Sequence, residues 1–130
     1  MTSSFIPAKL NFPVWRGSTF RYVFQWLDAE EVEGHEVRKP HDLTDYSGIM
    51  QLLGPADEVL FELTTGSEGI KFKEEPKEGY VELTIDATET ADFAWKKAVY
   101  TLFLTEPSGP KDVYAMLTGV FTISAPGVIQ

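Results

Sequence analysis

Phe20, Tyr22, Phe24 and Trp26 put an aromatic ring at every second position, with Arg21, Val23 and Gln25 between them. A period of two belongs to a β-strand, where successive side chains point to opposite faces. Four rings then share one face of a sheet, and that face has to be covered by a second layer. Residues 79–86 repeat the pattern, with Val81, Leu83 and Ile85 alternating against Glu82 and Thr84. The dominant period along the chain is two and not the 3.6 of a helix, so the fold class is all-β.

Other runs add strands of different character. Residues 98–104 are nearly all apolar or Thr, which predicts a central strand buried on both faces. Residues 9–14 predict a first strand that Pro13 confines to an edge or a bulge. Residues 48–53 are short and apolar, and residues 58–63 alternate Val59, Phe61 and Leu63 against Glu58, Leu60 and Glu62. Residues 70–73 suit a short edge. Residues 113–123 predict a long strand in which Gly119 marks a bulge or a close contact. Turn signals separate these runs: Gly54-Pro55-Ala56-Asp57, Lys77-Glu78-Gly79, and Pro107-Ser108-Gly109-Pro110 as the loop of a hairpin between the last two long strands. Residues 28–40 are polar and read as a solvated loop or a mobile hairpin. About seven to nine short strands at this spacing predict an immunoglobulin-like β-sandwich.

Residues 88–95 predict the one helical turn, with Thr90 as its N-cap. It sits where immunoglobulin-type sandwiches turn from the fifth strand to the sixth. A tyrosine near the start of the sixth strand bonds back to that corner in such folds. Tyr100 is placed for this role, and Leu102 stands where an antibody domain has a disulfide cysteine. The domain is expected over residues 9–124, between an N-terminal arm, residues 1–8, and a C-terminal tail, residues 125–130. Phe5, Ile6, Val128 and Ile129 make both ends apolar, so they either dock on a neighbour or pack back on the domain.

The chain has 130 residues and no cysteine. One domain of this size buries enough surface to need no disulfide or metal, and thiolate zinc sites and cysteine nucleophiles are excluded. A small secreted sandwich usually carries a bridge, so a cytoplasmic origin, or assembly inside a bacterial cell, fits better. The net charge of -9, from 20 acidic and 11 basic residues, repels nucleic acid and anionic lipid and favours solubility or a basic protein partner. No basic n-region followed by an apolar h-region opens the chain. The apolar run at 98–104 is far below the roughly 18 residues that span a bilayer.

Several constellations bear on chemistry. His35 and His41 are six apart with no third ligand at a clear spacing, so two exposed loop histidines are expected and not a zinc site. Asp28, Glu30, Glu31 and Glu33 lack the Asp-x-Asp-x-Asp-Gly spacing that wraps oxygens around calcium, and Glu74, Glu75 and Glu78 do no better. With 20 carboxylates, pairs suited to glycoside hydrolysis arise by chance. Trp15, Trp26 and Trp95 could make a carbohydrate platform, although such rings more often fill a sandwich core or its ends. There is no nucleophile elbow, no phosphate loop and no basic–aromatic pattern for nucleic acid. The sequence therefore nominates no catalytic, cofactor-binding or metal-ligating residue, and a non-enzyme is expected.

Four segments together resemble a family of small tailed-bacteriophage proteins. They are Trp15-Arg16-Gly17 before the aromatic strand, Asp42-Leu43-Thr44-Asp45-Tyr46 before the next, and Gly79-Tyr80-Val81-Glu82-Leu83-Thr84-Ile85 with Thr88-Glu89-Thr90-Ala91. The fourth is Ala98-Val99-Tyr100-Thr101-Leu102 with Leu117-Thr118-Gly119-Val120-Phe121-Thr122-Ile123. The resemblance, over residues 10–124, is to the β-sandwich of collar proteins that anchor side tail fibres and to the N-terminal domain of upper baseplate proteins. Asp45 departs from the glycine expected after Asp-Leu-Thr, which bears on the turn type. Gly17 would allow a close backbone approach. The resemblance implies a virion structural protein, assembled in the bacterial cytoplasm, that forms a homo-oligomeric ring and contacts tail tube, baseplate or fibre proteins, with no cofactor, nucleic acid or membrane partner. The alternatives are a head decoration or neck protein and, in another class, a carbohydrate-binding module.

Overall fold

The computed structural model describes residues 7–73, 75–108 and 112–124. The strands are β1 (Ala8–Lys9), β2 (Phe12–Trp15), β3 (Phe20–Gln25), β4 (Leu27–Val32), β5 (His35–Pro40), β6 (Ser47–Leu53), β7 (Val59–Thr64), β8 (Ile70–Phe72), β9 (Tyr80–Ile85), β10 (Lys97–Thr105) and β11 (Val113–Ser124). One short helix, α1 (Ala87–Ala91), lies between β9 and β10. Six strands form one sheet, in the order β1-β11-β10-β6-β7 with β2 also on β11, and three form the other, β3-β9-β8. The last two, β4 and β5, pair only with each other. The nine strands of the two sheets have the β7-β6-β10-β11 and β3-β9-β8 orders of an immunoglobulin-like sandwich, as the alternation predicts.

The facing surfaces are the ones the period of two selects. Phe20, Val81, Leu83 and Ile85 of the smaller sheet meet Met50, Leu52, Tyr100, Leu102, Leu104 and Phe121 of the larger. Aromatic edges interlock there: Phe12–Phe20, Phe20–Phe121 and Tyr100–Phe121 have ring centroids 5.0, 5.0 and 5.2 Å apart. Such contacts add to what burial alone contributes.

The first strand is broken, and the break is built. Leu10 and Asn11 step away between β1 and β2 while both strands stay parallel to β11. At the step, Tyr100 Oη donates to the Leu10 carbonyl at 2.7 Å and Asn11 Oδ1 accepts the Val120 N–H at 3.0 Å. Any Cβ on Gly119 would collide with the Leu10 carbonyl oxygen, so the expected close contact is there. Tyr100 thus stands where a corner tyrosine stands, but it does not bond back to the corner. It reaches 90 residues back in sequence to the first strand. Ala8, assigned above to the arm, already pairs with Leu117. Pro13 is on an edge, as its missing N–H requires.

Three further expectations are corrected. Strand β10 is central but buried on one face only: Ala98, Tyr100, Leu102 and Leu104 are inside, while Val99 and Phe103 are 48% and 38% exposed. Thr90 is not the N-cap, which is Asp86, with Glu89 accepting the Asp86 N–H at 3.3 Å. Thr90 is instead fully buried, where its hydroxyl donates to Ser18 O at 2.7 Å and accepts from Gly17 N–H at 3.0 Å. Gly17 has no heavy atom near its missing Cβ; its need is conformational, at φ 86°. Asp45 takes φ 64° itself, so the turn before β6 keeps the left-handed residue a glycine would supply. Asp42 Oδ1 accepts the Thr44 N–H and hydroxyl at 2.9 and 2.6 Å. Those two bonds hold the exposed Asp42 carboxyl below its ordinary range.

Candidate functional site

Two surfaces stand out from the sandwich. The first is the β4–β5 hairpin. The insertion at residues 28–40 is neither irregular nor folded back: it is a ribbon of two six-residue strands joined by Glu33 and Gly34 at φ 52° and 81°. Two successive left-handed residues make the turn whose twist matches paired strands. Among the residues of β4 and β5 only Val37 is even half-buried, so the ribbon projects from the domain. Glu31 lies directly opposite Glu36, a repulsive pair, while Lys39 pairs with Glu30 at 3.0 Å. Asp28, Glu30, Glu31, Glu33 and Glu36 outnumber Arg38 and Lys39, so the arm is acidic.

The root of the arm is rigid. Trp26 N–H donates to Gly79 O at 2.8 Å, and His41 N–H donates to Trp26 O at 2.9 Å. Gly79 is required, since its φ is 77° and a Cβ would lie 2.6 Å from Trp26 O. The rings of Trp26 and His41 stack at 3.8 Å and 8°, with Tyr46 and Tyr114 edge-on to Trp26 at 6.1 and 5.2 Å. His41 Nδ1 is 2.8 Å from Asp28 Oδ2, and Nε2 is 2.8 Å from Tyr46 Oη. An ionised carboxylate only accepts, so Nδ1 carries a proton and donates it to Asp28. His41 is therefore a fixed part of the root, not the free loop residue expected, while His35 is exposed near the tip.

The Asp28–His41–Tyr46 chain has the connectivity of a relay but not the electrostatics of an activated nucleophile. Burial, with the Glu106 carboxylate next in weight, pushes the Tyr46 hydroxyl up to about 12. Activation requires the opposite direction. Among the described residues, no group of three or more His, Cys, Asp or Glu could hold a metal ion. His35 and His41 sit at opposite ends of β5, and Asp28 and Glu31 point to opposite faces of β4. Glu74 lies outside the described residues. Trp26 is buried at the arm root and presents no open ring face, whereas Trp95 stacks on Phe93 at 4.7 Å near α1. Trp15, expected in the core or at its ends, is 54% exposed.

The second surface is the outer face of the six-stranded sheet. Ile49, Leu53, Val99 and Phe103 line a groove of about 380 Å³ around Gln51 and Thr101. It continues past Leu53 and Val99 into a depression of about 440 Å³ formed with Pro55, Asp57 and Lys97. Sequence reading missed this face because apolar residues on both sides of β10 look like a strand between two layers. The only available signal was that very doubling. The apolar ends, residues 1–6 and 125–130, lie outside the described residues, as do residues 109–111 of the expected hairpin loop.

No protein-family model matches the chain, and no curated protein matches it.

Proposed function

We propose that this protein is a non-enzymatic structural subunit of a tailed-phage virion, a collar, baseplate or fibre-attachment component that assembles as a homo-oligomeric ring. The observation that carries the reading is the arm. A lone two-stranded ribbon is marginal in water, and this one has almost none of its surface covered by its own domain. Its root is nevertheless locked by Trp26, His41, Tyr46 and Asp28. A rigid base under an uncovered tip suits a segment that is completed by another subunit. The resemblance in the strand motifs supplies the phage context.

The test is size-exclusion chromatography with light scattering and negative-stain microscopy, on the intact chain and on a variant with residues 30–36 replaced by a short Gly-Ser turn. The expected result is a ring of uniform stoichiometry for the intact chain. The shortened variant should remain folded, with its β circular-dichroism spectrum, but fail to close rings. An intact chain that stays monomeric at every concentration, alone and with co-expressed tail proteins, contradicts the reading.

A further inference from the structure

Charge is distributed unevenly over this molecule. Among the described residues, the only charged side chains that β6, β7, β10 and β11 direct outward are Glu62 and Lys97. Glu62 is already occupied by the Gln51 amide at 2.8 Å. The remainder of that face is apolar or hydroxylic, including the exposed Ile49, Val59, Val99, Phe103 and Val113. This occurs in a chain with 20 carboxylates and a net charge of -9. Depletion of charge with retention of aromatic and branched side chains is the composition of an interface centre.

The charge also identifies the occupant. Two copies of a chain at -9 repel each other wherever carboxylates face carboxylates. This face, whose only charged strand residues among the described ones are Glu62, Lys97 and Lys9 of β1, is where they can meet without carboxylate facing carboxylate. The size fits as well. Five strand positions at about 4.8 Å and some 25 Å of strand length give a flat footprint of roughly 600 Å² before side-chain relief, against about 800 Å² per partner in a standard interface. We propose that the outer face of the six-stranded sheet docks on the same face of a second copy across a two-fold axis. The groove between Ile49, Val99 and Phe103 of each copy lies against the same face of the other. This contact is additional to the head-to-tail contacts that close a ring, and the two combine as a ring of pairs.

The chain has no cysteine, so a single engineered thiol reports cleanly. Thr101→Cys, in the middle of the face, should give a covalent dimer with a short bismaleimide, and Lys71→Cys, on the other sheet, should not. Val99→Glu should raise the dimer dissociation constant at least about a hundredfold, roughly tenfold for each of the two symmetry-related copies. Its circular-dichroism spectrum should be unchanged. If Val99→Glu fails to fold, Thr101→Lys takes its place. Equal cross-linking at positions 71 and 101, or an unaltered dissociation constant, overturns the proposal. Rings that persist unaltered in Val99→Glu remove the paired face and leave the ring reading standing, whereas a monomeric wild type removes both.

Discussion

On the outer face of the three-stranded sheet, Arg21 lies 3.4 Å from Glu82, and Lys71 lies 3.7 Å from Glu68 on the turn before β8. On the outer face of the six-stranded sheet β6 and β10 pair Ile49 with Phe103, Gln51 with Thr101 and Leu53 with Val99, and no ion pair between its strand residues is seen among the described residues. Both sheets present the same kind of apolar inner face to the same core, so the sandwich imposes nothing that would make their outer faces differ. The difference is therefore about surroundings. A face laced with exposed ion pairs is finished for water; one that repeats the chemistry of the interior is finished for another protein layer.

Substitutions on the two sheets separate how each is held together. Gly119→Ala drives a methyl group into the Leu10 carbonyl and dislodges β1 and β2 from the larger sheet. Chemical denaturation should show a loss of about 3 kcal/mol. A loss below about 0.5 kcal/mol would mean that the step in the first strand yields without cost. Thr90→Val tests the equivalent fastening next to the smaller sheet. It leaves the Gly17 N–H and Ser18 carbonyl without their partner and should cost about 1–3 kcal/mol.

Alkali is the third probe. Burial, followed by the neighbouring Tyr22, pushes the Tyr100 hydroxyl up to about 12, and Tyr46 is pushed equally far. In the unfolded chain both titrate near 10. The stabilisation from the neutral hydroxyls is therefore complete below about pH 10 and is lost as pH rises toward 12. Denaturation midpoints should fall across that window. Tyr100→Phe should reduce the fall, at a cost of about 1 kcal/mol near neutrality from the lost bond to Leu10; an unchanged slope would count against the Tyr100 bond as its source. The smallest effect belongs to the ion-paired face. Arg21→Ala should change stability by less than about 1 kcal/mol, and less still in salt, and should leave the oligomeric state as it was.

Much of the fold was legible because burial acts with a period of two. Val81, Leu83 and Ile85 against Glu82 and Thr84 name their inner and outer faces without ambiguity, and β9 follows them. The turn at Asp42-Leu43-Thr44-Asp45 has a local cause as well, because the Asx carboxylate bonds the following Thr44. The outer face of β10 differs from the expectation for a physical reason: alternation separates apolar from polar positions, and an apolar outer face reads in sequence like an inner one. His41 was beyond reach from sequence because its environment comes from Trp26, fifteen positions earlier, and from Tyr46, and only the closure of the arm brings the three rings together. The long reach of Tyr100 to Leu10 was hidden likewise, since nothing local distinguishes a carbonyl 90 residues away.

The parallel seating of β1 and β2 on β11 has a mechanical consequence. The first strand enters beside Leu117, and the last leaves beside Trp15. A pull between those two points slides the strands along each other, so the bonds from Leu10 to Thr118 and from Arg16 to Ser124 carry the load together instead of opening one after another. A subunit strung between two larger bodies would resist tension in shear, and its weakest moment would come when that whole seam slips at once.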